Sequence, residues 1–164
     1  MAQTDILIEM LERSMSMMLK ALADFSDVDM LVRPVENANH ALWMVGHVCV
    51  SEARMVSAVK PEMANIVPAA FAENFPQSKD RVNEVLKPMG KAEVITQYEK
   101  VRIQTVELAR SINDTELLRP IPSPFSKGSQ TTVGFMLNMP VLHSTLHLGQ
   151  IQVIRRKLGK PWIF

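Results

Sequence analysis

The chain has 164 residues and nearly balanced charge, 18 Lys and Arg against 17 Asp and Glu, which gives no global sign of a nucleic-acid or membrane partner. The length suits one domain over residues 1–164, and a separate second domain is not expected. The lone Cys49 rules out an intramolecular disulfide framework, and no apolar run approaches the roughly 20 residues of a membrane span, so a soluble cytoplasmic protein without a secretory signal is expected.

Four long helical patterns succeed one another along the chain. The first covers about Asp5 to Asp24, where Ile6, Leu7, Met10, Leu11, Met18, Leu22 and Phe25 return every three or four residues. The Asp27 and Asp29 region breaks it, and Pro34 prevents continuation. The second runs from about His40 to Val59, with Asn37 or Asn39 as candidate caps and Pro61 as its stop. The stretch from Lys60 to Gly90 holds four prolines, with Ser78 to Leu86 reading as a short capped helix inside it. A connection this long suits a crossover that lets the next helix run parallel to the previous one.

The third helix is expected over Lys91 to Ile112, with Asn113-Asp114-Thr115 capping the segment after it. Glu116 to Gln130 contains Pro120, Pro122, Pro124 and Gly128 and reads as a proline-stiffened loop rather than a strand. Thr131 or Thr132 then caps a fourth helix to Leu158, which Pro140 should kink. Arg155, Arg156, Lys157 and Lys160 close it, reading as cations that oppose the helix dipole, with Gly159 as the stop. Twelve methionines read as adaptable core filling.

The residues that carry chemistry are histidines. His143 and His147 stand at i,i+4 on the fourth helix, pointing the same way beside an apolar stripe. His47 stands in the second helix, and three neutral imidazoles from two helices would bind a divalent transition ion while leaving positions open to water or substrate. Hydrogen-bonded core histidines without any metal are the plain alternative. Two metalloprotein classes fall away. A zincin needs Glu directly after the first histidine, where Ser144 stands; a di-iron bundle needs carboxylates that the fourth helix lacks. Glu36 and Glu52 are the carboxylates nearest His47 in sequence, but Glu52 projects about 140° away around the helix, and Cys49 about 200°. Neither carboxylate reads as a base, and Cys49 reads as a small buried hydrophobe.

Asn39-His-Ala-Leu-Trp-Met-Val-Gly-His47-Val, together with His143-Ser-Thr-Leu-His147-Leu-Gly-Gln150 and Arg155-Arg156-Lys-Leu-Gly159-Lys-Pro161, resembles the second-helix and last-helix signatures of the DinB/YfiT-like family over essentially the whole chain. The resemblance implies an all-α four-helix bundle in up-down-down-up order, with a long crossover carrying a short helix between helices 2 and 3. It also implies a divalent metal, often nickel or zinc, on His47, His143 and His147. Family members include thiol-dependent transferases and isomerases using low-molecular-weight thiols such as bacillithiol or mycothiol, and they often form dimers.

The expectation is therefore a metal-dependent enzyme on small molecules, a thiol-dependent transferase or isomerase or else a hydrolase, acting as a homodimer with no nucleic-acid or membrane partner. The alternative is a non-catalytic metal- or ligand-binding bundle. Gln150 would bond a metal-held water or lock helix packing; His40 would start its helix or approach the ligand shell or the substrate. Gly46 would allow a close helix approach, and Trp43 would pack beside the site. The 116–130 loop would stand over a methionine-lined mouth and place an electrophile there.

Overall fold

The computed structural model describes residues 2–76 and 88–163. Four long helices make the bundle: α1 (Gln3–Leu22), α3 (Ala41–Ser57), α5 (Lys91–Arg110) and α7 (Val133–Lys157). Between them lie one-turn helices α2 (Asp27–Met30), α4 (Ala69–Ala72) and α6 (Asp114–Leu117), and a 3-10 turn at Pro61–Asn65. The expected helix over Ser78 to Leu86 lies outside the described residues.

The helix directions follow from which ends meet. Lys91, first in α5, donates its backbone N–H to Asp27 and its ammonium to the carbonyls of Ala23 and Phe25, so α5 begins where α1 ends. Arg155, near the end of α7, donates to Ala21 O and to the Asp24 carboxylate, so α7 ends there too. Leu42 at the start of α3 shares a buried cluster with Met18 and Leu22, whereas Val56 at its end packs with Leu7 and Leu11. The order is up-down-down-up. α1 and α3 each pack on α5 and α7, and the parallel neighbours α3 and α5 are what the long crossover makes possible.

Local chemistry sets the boundaries, with two departures from the sequence reading. The cap of α3 is His40 rather than an asparagine, because its Nδ1 accepts the Trp43 N–H at 3.1 Å. Asp114 both opens α6 and ties down the start of α1, its carboxylate accepting the N–H groups of Gln3 and Thr4 at 3.0 Å; those bonds hold its pKa below the usual range.

The proline-rich segment does form strands. β1 (Pro120–Pro122) pairs antiparallel with β2 (Gln130–Thr132), Ile121 facing Thr131. Flanking bonds from Val133 N to Arg119 O and from Ser123 N to Ser129 O show that residues 119, 121 and 123 turn towards the partner. Pro120 and Pro122 therefore fall on the open edge, where no N–H is needed. Thr132 then caps α7, which runs unbroken through Pro140.

The last turn carries the expected Arg155, Arg156 and Lys157, and Arg155 does more there than oppose the dipole: it is buried, held by Ala21 O, Asp24 and Pro161 O, while Lys160 bonds Asp24 O. The methionines do fill core: Met18, Met30 and Met44 in one cluster, Met55, Met63 and Met136 in the other. Among the described residues no helix is long and apolar enough to cross a membrane.

Candidate metal centre

His47 from α3 and His143 and His147 from α7 converge at the edge of the bundle, each half-buried. One ring nitrogen from each lies within 4.8 Å of the other two. The Nε2 atoms of His143 and His147 are 3.1 Å apart, about the separation of two ligands bound near 2.1 Å to one ion. Adjacent turns of α7 set that pair, and His47 reaches it because α3 and α7 are packed neighbours.

Three features prepare the rings. Gln150 Oε1 lies 2.8 Å from His147 Nδ1, and since a carbonyl oxygen only accepts, the proton sits on Nδ1 and the Nε2 lone pair faces the cluster. Gln150 thus orients a ring from the exposed flank, a third role beside the two expected from sequence. Trp43 lies flat against His47, centroids 4.6 Å apart and planes 11° from parallel, which fixes the imidazole's plane. Burial lowers the basicity of all three. His47 is pushed down to about 3 by desolvation, then by the neighbouring imidazoles, and His143 to about 4 for the same reasons; His147 is also lowered by desolvation, with the Gln150 bond opposing. The rings are neutral at physiological pH, as ligands must be.

The remaining sequence candidates part company with this cluster. His40 is a buried helix cap. Cys49 is fully buried with its thiol pKa raised by desolvation, so it is no ligand. A Cβ on Gly46 would run into the Phe75 ring, so the close approach it allows is to a crossover side chain, not to a helix. The hairpin stands at the start of α7, near Gln3 and Ile6, about 16 Å along the helix from His143, and does not roof the histidines. A groove of about 540 Å³ between the crossover and α5 lies elsewhere, lined by Phe71, Met89 and Gln97.

Glu52 turns away from the histidines for a reason the sequence reading missed. It forms a two-pronged ion pair with Arg102 of α5, at 2.9 and 2.8 Å, both side chains fully buried. The same guanidinium donates to Leu11 O and Ser14 of α1 and to Pro140 O and Ser144 of α7, tying all four long helices. The signal was present: Glu52 and Arg102 each occupy a core-facing position on a largely apolar buried face.

A family profile for the DinB superfamily matches residues 10–151, and the chain belongs to that superfamily. Among solved structures, the fold is similar to YfiT from Bacillus subtilis, described as a probable metal-dependent hydrolase with an unusual four-helix bundle topology. The match has a TM-score of 0.69 at 20% identity over 97% of this chain and 89% of that one. It is also similar to a conserved protein from Enterococcus faecalis, with a TM-score of 0.75 at 16% identity over 98% of this chain and 99% of that one. No curated protein matches.

Proposed function

We propose that this protein is a metal-dependent enzyme acting on a small molecule, with one divalent ion of the zinc or nickel kind held by His47, His143 and His147. The observation that carries the reading is the aim of His143 and His147, Nε2 to Nε2 at 3.1 Å, with Gln150 holding the second ring in the ligating tautomer. An ion bound there supplies Lewis-acid polarisation and lowers the pKa of whatever group occupies its open position.

The chain's own residues do the rest. Trp43 and Gln150 fix two rings, burial keeps the imidazoles unprotonated, and the half-buried edge between α3 and α7 leaves an approach for substrate. The one carboxylate of α3, Glu52, is committed to Arg102, so no acidic group from that helix competes as base. Hydrolysis is the leading reaction class, supported by the description of YfiT; thiol addition to an electrophile is the second arm of the test.

The experiment loads metal-stripped protein with zinc or nickel and screens activated esters and amides in water, then low-molecular-weight thiols with electrophilic acceptors. Turnover in the wild type that disappears in His147→Ala, with helicity unchanged by circular dichroism, is the expected result. Equal rates in the two proteins would remove the histidines from the mechanism. Tight metal binding without turnover in either arm would favour a non-catalytic metal-binding bundle.

A further inference from the structure

Neither helix that supplies the histidines carries a charged side chain beside them. α7 has no Asp, Glu, Lys or Arg from Val133 to Ile154, and α3 has none from Ala41 to Ser51. Apolar side chains flank the rings instead. Trp43 stacks on His47, Met139 stands one turn before His143, and Leu146, between the two α7 histidines, is 72% exposed. Such a surface holds a ligand by an uncharged, apolar body and penalises any ionised group set down on it.

One cation on the same face stands beyond that apolar stretch. Arg54 follows His47 by seven residues, which places it about 10 Å along the axis of α3 and about 20° from His47 around it. It is exposed, and helical side chains lean towards the N-terminus, here towards His47. Among the described residues no ion pair or hydrogen bond engages its guanidinium; the Ser57 hydroxyl donates to its backbone carbonyl. The other charged side chain of α3, Glu52, is sealed with Arg102. Towards the end of α7, Lys157 comes ten residues after His147, about 15 Å along the axis, and its ammonium is bonded to Arg33 O. Arg54 also lies in the last turn of α3, where a cation opposes the helix dipole. That role sets no position around the helix, so it does not account for the alignment with His47.

We propose that Arg54 is a specificity residue of this site: it holds a carboxylate at the far end of a substrate whose carbonyl reacts at the histidines and whose uncharged chain lies between. The substrate class is then an acyl compound with an apolar body and a terminal acid, rather than a small polar or cationic molecule. A guanidinium takes a carboxylate through two parallel hydrogen bonds, a geometry that an ammonium cannot reproduce. Arg54 touches no reacting atom and acts through binding alone. The inference rests on the proposed metal-dependent reading, and the probes are chosen so that the two fail separately.

Hydroxamates chelate a metal ion through their head group and need no turnover. Zinc-loaded protein is titrated by calorimetry with acetohydroxamate, octanohydroxamate, suberic acid monohydroxamate and ω-amino-octanohydroxamate. In the wild type the acid should bind about 10-fold tighter than the neutral chain, the scale of one charge-assisted contact, and the amine should bind weakest. Added salt should narrow the gap. Arg54→Gln should bring the acid and the neutral chain level, and Arg54→Lys should keep part of the preference. Arg13→Gln, at an exposed arginine on α1, should keep all of it. Equal affinities in the wild type, or a preference that survives Arg54→Gln, would overturn the role of Arg54 and leave the metal reading standing. Acetohydroxamate binding that is absent, or unchanged in His147→Ala, would overturn the metal reading and this inference with it.

Discussion

Two polar clusters lie next to each other on α3 and α7, and they are built to opposite rules. Around Arg102 the guanidinium donors meet Glu52, two backbone carbonyls and two serine hydroxyls, and the cluster is sealed from solvent. Around His143 the rings crowd nitrogen against nitrogen, Nδ1 of His143 is buried without a hydrogen-bond partner among the described residues, and the edge stays half open. Burying polar groups is costly unless they are satisfied. The satisfied cluster ties the four long helices together, whereas the other leaves the Nε2 atoms of His143 and His147 facing each other, which is what the proposed metal reading rests on. Ser144 joins them: its hydroxyl accepts from Arg102 while its chain neighbour His143 belongs to the histidine cluster.

The sharpest way to break the contrast is Arg102→Met. Removing one partner of a buried ion pair leaves Glu52 uncompensated and should lower stability by about 3–5 kcal/mol, read as the urea midpoint. Adding Glu52→Met should restore most of that loss. A double variant as unstable as the single would mean that the hydrogen bonds to Leu11, Ser14, Pro140 and Ser144 carry the effect, not the charge left behind.

His143→Ala should act on the other cluster alone. Affinity for zinc or nickel should drop by more than about 100-fold, beyond the loss typical of an outer hydrogen-bond partner, with the urea midpoint of the metal-free protein held or raised. A large stability loss without metal present would show that the histidines are structural. Gln150→Ala tests the orienting bond and should weaken metal binding by about 10- to 100-fold, with Gln150→Glu recovering it because a carboxylate also accepts from Nδ1.

The pH dependence also separates the clusters, by its sign. The folded-state pKa values of His47 and His143, about 3 and about 4, lie below the unfolded value near 6.5, so the unfolded chain binds more protons between them. Stability of the metal-free protein from these groups is complete above pH 6.5 and is lost as pH falls from there towards 4. Metal binding by the folded protein should consequently hold below pH 6.5, lower than ordinary imidazoles would allow. Metal release tracking a midpoint of 6.5, while circular dichroism still shows a folded bundle, would contradict the burial of these rings. Arg102 keeps its charge throughout this range.

The four long helices were legible in the chain alone, because each carries a 3.6-residue apolar period bounded by prolines or capping residues. So was the pair His143 and His147, because i,i+4 spacing on one helix leaves little choice of direction; that His47 meets them depends on α3 packing against α7. Crossover length suggested the parallel pair α3 and α5, and the structure shows it. Whatever depends on facing partners had to wait for the folded bundle. That Glu52 looks inward at Arg102, that Gln150 grips His147, and that Phe75 occupies the space Gly46 leaves are contacts of side chains whose sequence signals are one charged, polar or small residue at a single position. The edge strand of prolines is the plainest case. Local propensity argues against it, and it forms because the register sends Pro120 and Pro122 outward, a fact that exists only once β2 is in place.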